Sequence, residues 1–131
     1  MWNVMNSPIM MALAKTLDAA SLRQQVIAHN MANVNTPGFK RSAVAFEQAL
    51  ERALAAGRQD GSRREAVERL KEIRPQVVRD NATSMRADGN NVDIESEMAL
   101  LALNTLNYNA VVQRLSSKFA SASYVIHEGR R

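Results

Sequence analysis

The sequence predicts a mainly α fold. Long N- and C-terminal helices pack as an antiparallel coiled-coil-like hairpin, joined by a short irregular middle segment with room for a small β-hairpin. Three observations predict it. Aromatic residues make up only 5% of the 131 residues while the apolar share is an ordinary 46%. Ala, Leu, Met and Val therefore carry the apolar surface, which suits helices lying side by side better than a sheet sandwich. Near the N-terminus apolar residues recur at helical spacing, and a longer, cleaner seam occupies the C-terminal third.

The first helix starts at Ser7-Pro8, with Ser7 as the cap and Pro8 at the first helical position, where its missing N–H costs nothing. Ile9, Leu13, Leu17 and Ala20 form one row, Gln24 interrupts it, and Ile27 and Met31 resume it, with Leu22 and Val26 on the flank. The pattern implies about 25 residues, or ~38 Å. It stops near Asn33, because Asn35-Thr36-Pro37-Gly38 is a dense turn signal in which Pro biases Thr36 away from helical geometry.

In the middle, Phe46, Leu50, Ala53 and Leu54 mark a short helix, and the polar stretch from Gly57 to Arg64 reads as a loop. Glu65 to Ile73 forms another short helix, stopped by Pro75. Val77-Val78 reads as a strand leading to a hairpin through Ala82-Thr83-Ser84, and Asp88-Gly89-Asn90-Asn91 as a turn.

The last helix is the strongest pattern. Ile94, Met98, Leu101, Thr105, Tyr108, Val112, Leu115, Phe119, Ala122 and Ile126 alternate spacings of four and three, a heptad seam in which only Thr105 is polar. Asp93 can cap this helix, Glu95 and Glu97 lie in its first turn, and Arg114 and Lys118 lie toward the opposite end, in keeping with the helix dipole. The organisation is one structural unit: 1–34 an N-terminal axial helix, 35–91 a linker and middle segment, 92–131 a C-terminal axial helix. An apolar stripe on a helix is usually the core of a bundle. Here two unequal helices with a short middle segment cannot bury all their apolar surface in one chain, and the remainder suits assembly with other subunits.

The net charge is +4 and the pI about 10.0, which raises nucleic acid and anionic membranes as partners. The basic residues Arg58, Arg63, Arg64, Arg69, Lys71 and Arg74 are interleaved with Asp60, Glu65, Glu68 and Glu72, however, which reads as a solvated, salt-bridged surface. There is no cysteine, so disulfide and thiolate chemistry are excluded. The N-terminus lacks the basic region, apolar run and small-residue site of a cleaved secretory signal. No stretch approaches the ~20 apolar residues of a bilayer span. His29 and His127 have no second His or carboxylate at helical spacing, so neither reads as a metal ligand. Asp88 to Asp93 fails the calcium-loop pattern, with Val92 at the fifth position and Asp93 at the sixth. No phosphate loop, nucleophile elbow or carboxylate pair stands out. The chain reads as neither an enzyme nor a cofactor binder, with no small-molecule substrate.

Ala32-Asn33-Val34-Asn35-Thr36-Pro37-Gly38-Phe39-Lys40, preceded by Val26-Ile27-Ala28-His29-Asn30, resembles the signature of the bacterial flagellar rod, hook and related axial protein family. Asp88-Gly89-Asn90-Asn91-Val92-Asp93-Ile94-Glu95, continuing through Glu97-Met98 to Tyr108, is similar to the matching stretch of that family's proximal-rod members. The likeness covers both ends, roughly 75 of the 131 residues. Phe39 stands where the family often has Tyr, and His29 where it often has Asn.

The resemblance implies motif residues Asn30, Ala32, Asn33, Asn35, Thr36, Pro37, Gly38 and Phe39. Together with the periodicity it implies an assembly seam of Leu13, Leu17, Ile27, Ile94, Met98, Leu101, Tyr108, Val112, Leu115, Phe119 and Ile126. The implied role is a structural subunit of the proximal rod of the flagellar basal body, polymerising through helix packing to transmit torque for motility. The implied partners are copies of itself, other flagellar rod proteins and the membrane-ring/export-gate adaptor at the rod base. The implied location is the periplasmic rod, reached by type III export without a cleaved signal peptide. The alternative is a small basic helical module binding nucleic acid or an anionic membrane surface.

Overall fold

The structure, a computed structural model, describes residues 7–59 and 63–128. Asp60, Gly61 and Ser62 of the expected loop, and the first six residues of the expected N-terminal segment, lie outside them. The elements are α1 (Pro8–Ala32), β1 (Ser42–Ala45), α2 (Glu47–Gln59), α3 (Arg63–Glu72), β2 (Gln76–Arg79) and α4 (Ile94–Glu128). The fold is mainly helical, with long terminal helices packed together and a two-stranded antiparallel sheet in the middle.

The helix ends follow from local chemistry. The Met10 N–H donates to Ser7 Oγ at 3.2 Å, with Pro8 in the first turn, so the N-cap of α1 is a serine hydroxyl. At the other end the Asn33 Nδ2 donates to the His29 carbonyl at 2.9 Å, reinforcing the 3.2 Å bond that the same oxygen accepts from the Asn33 N–H in the last turn. The Glu95 N–H donates to Asp93 Oδ1 at 3.0 Å, the cap of the 35-residue α4. Thr105, the polar member of the seam, turns its hydroxyl back onto the Leu101 carbonyl at 2.9 Å.

Two features of the middle segment differ from expectation. The strand at Val77-Val78 forms, but its antiparallel partner is Ser42–Ala45, in the register Ser42↔Arg79 to Ala45↔Gln76, and not a segment beyond Ala82-Thr83-Ser84. Asp80 explains this. Its Oδ1 accepts the Ala82 and Thr83 N–H groups at 3.0 and 3.3 Å, a local arrangement that competes with a ladder just past β2. Gly57 is likewise not in a loop. It lies inside α2, where a Cβ would stand 2.4 Å from the Ala66 Cβ, so it lets α2 and α3 approach closely.

The chain divides into two compact units. One comprises Met1–Leu17, Glu47–Arg74 and Asn109–Arg131. Within it Ala53, Ala66, Val67 and Leu70 bury the α2–α3 contact. Lys15 Nζ donates to the Lys71 and Ile73 carbonyls, both at 3.0 Å, covering oxygens exposed where α3 ends. The other unit comprises Asp18–Phe46 and Pro75–Tyr108. Its core contains Ala19, Ala20, Val26, Ile27, Val44, Phe46 and Val92, with five buried polar residues: Asn30, Asn90, Asn91, Glu97 and Asn104. Here α1 and α4 run antiparallel, since Ala20 meets Asn104 and Asn30 meets Glu97.

Candidate functional site

The turn after α1 and the segment before α4 are held together by side-chain amides. Asn30, the last fully buried residue of α1, treats Ser42 as a strand neighbour would. Its Nδ2 donates to the Ser42 carbonyl at 2.8 Å, and its Oδ1 accepts the Ser42 N–H at 2.9 Å. The same Nδ2 reaches Glu97 Oε2 at 3.1 Å. Glu97 has no solvent exposure, and Arg41 supplies its counter-charge, with Nε and Nη2 at 2.9 and 2.8 Å from Oε1. A charge buried this completely is tolerated only when paired and hydrogen-bonded.

Asn90 closes the turn. Its Nδ2 faces the Asn33, Val34 and Thr36 carbonyls at 3.1, 3.1 and 2.8 Å, so one amide group gathers three main-chain oxygens of the turn after α1, two of which also accept turn N–H groups, from Thr36 and Phe39. Its Oδ1 accepts the Val92 N–H at 2.7 Å. Arg86 adds a guanidinium donor to the Val34 carbonyl at 2.9 Å. Gly38, at φ +70°, donates its N–H to the Asp88 carbonyl at 2.9 Å. Gly89 has φ +83° and lies against Gly38, a built Cβ there falling 3.8 Å from the Gly38 Cα. Two glycines in left-handed conformation thus stand where the two segments meet.

Asn91 ties this turn to the sheet. Its Oδ1 accepts the Arg41 N–H at 2.7 Å, and its Nδ2 donates to the Asp80 carbonyl at 3.0 Å and to Thr83 Oγ1 at 2.9 Å. The Thr83 hydroxyl in turn donates to Asp80 Oδ2 at 2.9 Å. That bond, then the Ala82 N–H, holds the Asp80 carboxyl below its ordinary pKa. Asp88 and Asp93 carboxylates accept the N–H groups of Asn90 and Glu95, at 3.1 and 3.0 Å. Each acidic residue of this stretch therefore has a turn or cap bond. These polar groups hold backbone or one another, and the arrangement is that of a structural joint.

The motif residues gather at this joint. Asn30 is its buried anchor and Ala32 the last residue of α1. Asn33 accepts the Thr36 hydroxyl through Oδ1 at 3.2 Å, while Asn35, Thr36, Pro37 and Gly38 are exposed. Phe39 stacks obliquely on His29, with ring centroids 5.5 Å apart. Of the seam residues, Ile27 is buried, and Leu13, Leu17, Leu101, Val112 and Leu115 are half-buried. Ile94, Met98, Tyr108, Phe119 and Ile126 are exposed in the single chain.

Sequence reasoning missed Arg41, Glu97, Asn91 and Asn104. By sequence Glu97 is assigned only to the first turn of the last helix, where the helix dipole favours an acid. The available signal was its place four residues before Leu101, on the same side of the helix, with a lone arginine just beyond the turn motif. Among the described residues no helix is long and apolar enough to cross a membrane, and no group of His, Cys, Asp or Glu is gathered to hold a metal ion.

A turn built by amides at the end of one axial helix and clamped to the start of another defines a structural helical subunit. Residues 10–40 match the family of the flagella basal body rod protein. The chain is 34% identical over 126 residues to the flagellar basal body rod protein FlgB of Bacillus subtilis, covering 90% of this chain and 92% of that one. It is 40% identical over 120 residues to FlgB of Borrelia hermsii, covering 84% and 89%. FlgB of Salmonella typhimurium is 27% identical over 124 residues, covering 88% and 90%. These relatives place the chain among structural proteins of the flagellar basal body rod, a family without enzymatic activity. Within that class, the chain belongs to the FlgB family.

Proposed function

We propose that the chain polymerises in the proximal rod through its terminal helices and there transmits torque. The observation that carries this is the outward face of α4. Ala99, Leu103, Leu106 and Ala110 lie on one row at heptad spacing, Ala120 and Tyr124 resume it after Gln113 and Ser117, and all are exposed. Leu106 is 67% exposed and Tyr124 65%. Two exposed apolar stretches on one row of a helix suit a second helix, and the mix of large and small residues in them suits close interdigitation. α4 thus has a partly covered face, with Leu101, Val112 and Leu115 half-buried, and an exposed face with apolar residues for neighbours. A rod carrying torque needs such lateral contact between stiff elements.

The neighbours would be copies of this chain and other rod proteins, with the membrane-ring/export-gate adaptor at the rod base. The location would be the periplasmic rod, reached by export without a cleaved signal. The basic-module alternative loses support at α3, where Arg69 pairs with Glu65 and Lys71 with Glu68, both at 2.9 Å. Leu106→Asp tests the proposal, because an exposed position leaves the single chain folded. We expect normal secretion, no purified basal bodies and no swimming. Intact basal bodies would overturn the outward seam. DNA or anionic-vesicle binding by the wild-type chain that falls steeply with salt would favour the alternative.

A further inference from the structure

We infer that the outer edge of β2 takes an added strand from another rod protein, an extended segment with an acid beside Arg79; this rests on the reading of the chain as a rod subunit. The two edges of the sheet differ. The Asp80 N–H donates to the Arg41 carbonyl at 2.9 Å, and the register runs from Ser42↔Arg79 to Ala45↔Gln76. Main-chain groups alternate in direction along an antiparallel pair, so those of Gln76 and Val78 face β1 and those of Val77 and Arg79 face outward. The same alternation turns Ser42 and Val44 away from β2 and toward α1. There the Asn30 amide takes both main-chain groups of Ser42, at 2.8 and 2.9 Å, and Arg23 Nη2 reaches the Val44 carbonyl at 3.5 Å. The edge of β1 is thus occupied. Among the described residues, nothing takes the outward N–H and C=O groups of Val77 and Arg79.

All four residues of β2 are exposed. Short length and a charge such as Arg79 blunt an edge, but they do not account for Val77 and Val78, which lie on opposite faces of the strand at 53% and 52% exposure. Val44, directly across from Val77 on the same face, is buried, so the cover of that face stops short of β2. An added strand extends the sheet over the valines and supplies main-chain partners to Val77 and Arg79. A second copy is a poor donor. With its β1 edge occupied it offers its own β2, and two such edges close into a pair about a two-fold axis, which cannot recur along a rod. That pair would also bring two Arg79 side chains into one short sheet, while the neighbouring Asp80 carboxylate is held by Ala82 and Thr83. Opposite charges across a strand pair stabilise it, so the donor strand carries Asp or Glu where it meets Arg79.

The test puts the photo-crosslinking residue p-benzoylphenylalanine at the Val78 position of the full chain and irradiates purified basal bodies. Mass spectrometry should identify a crosslinked segment of a different rod protein, with Asp or Glu in it. A crosslink to β2 of a second copy, a segment without an acid, or no crosslink at all would each overturn the proposal. Val77→Pro removes an outward N–H and keeps those that face β1, whereas Val77→Thr keeps both. The proline variant should be secreted normally and lose basal bodies, and the threonine variant should retain them. If the proline variant does not fold, Arg79→Glu, which keeps every main-chain group, should show the same loss. Wild-type basal bodies in the proline or the Arg79 variant would overturn the added strand, while Leu106→Asp separately tests the rod reading on which it rests.

Discussion

At Gly38 the backbone itself is the constraint. Its φ is +70°, while a built Cβ meets only the Asp88 carbonyl oxygen, at 4.0 Å. Space is available, so the cost of a side chain lies in the left-handed conformation, about 1–2 kcal/mol for alanine and more for a β-branched residue. Gly38→Val should therefore be secreted at near-normal levels but fail to form rods, read as secreted amount beside basal-body yield. Intact rods would reduce the turn to a plain helix stop. The Glu97–Arg41 pair predicts an asymmetry. Arg41→Ala leaves a carboxylate with no exposure, whereas Glu97→Ala leaves a guanidinium whose side chain keeps 28% of its surface. Removing one partner of a buried pair costs about 3–5 kcal/mol, and Arg41→Ala should lie nearer the top of that range. Denaturant titration of both variants checks the order. Asp80 carries a pH dependence. Its native pKa is lowered, first by the Thr83 hydroxyl and then by the Ala82 N–H. Its stabilisation is therefore full above the unfolded value of about 3.9 and is lost as pH falls through the lower native value. Thr83→Val should raise the Asp80 pKa in a carbon-detected NMR titration, and an unchanged value would sink this account.

At the scale of elements, Gly57 shows packing overriding propensity. Alanine in place of an interior helix glycine usually gains about 1 kcal/mol. Here its Cβ would fall 2.4 Å from the Ala66 Cβ, neither atom can swing away, and overpacking costs about 1–3 kcal/mol. Gly57→Ala should lower the melting temperature, and adding Ala66→Gly should recover much of the loss. A stabilised single variant would mean that α2 and α3 separate freely. The inward row of α4 behaves differently. Leu115 is half-buried in the single chain, and Leu115→Asp introduces a charge that a covered apolar seam cannot solvate. That variant should lose rod assembly and motility, and normal swimming would show that the seam stays wet in the rod.

For the whole molecule, uncovered apolar surface sets the behaviour before assembly. Tyr124 and Val125, near the end of α4, are 65% and 69% exposed, and a long helix draws most of its stability from tertiary packing. In dilute solution the last turns of α4 should be cleaved first by a protease, and their amides should exchange fastest. The amides near Asn30 and Asn90 should be among the slowest, because their bonds are buried. Uniform slow exchange to the end of α4 would contradict this.

What the sequence by itself determined is what depends on near neighbours along the chain. The Ser7 and Asp93 caps, the Pro37-Gly38 stop and the helical spacing from Leu13 to Ile27 each need only residues within a turn or two, so they were legible. The motif asparagines were legible as a cluster, though not as a clamp. Tertiary structure alone decided the rest. The carbonyls that Asn90 gathers belong to Asn33, Val34 and Thr36, and the strand paired with Val77-Val78 is Ser42–Ala45. Glu97 is by sequence only a first-turn acid, and the fold alone sets Arg41 and Asn30 on it; Gly57 is by sequence a loop residue, and the fold alone sets Ala66 against it. Helix periodicity says which residues share a face. Only the folded chain says which face is covered, because burial depends on partners far away in sequence.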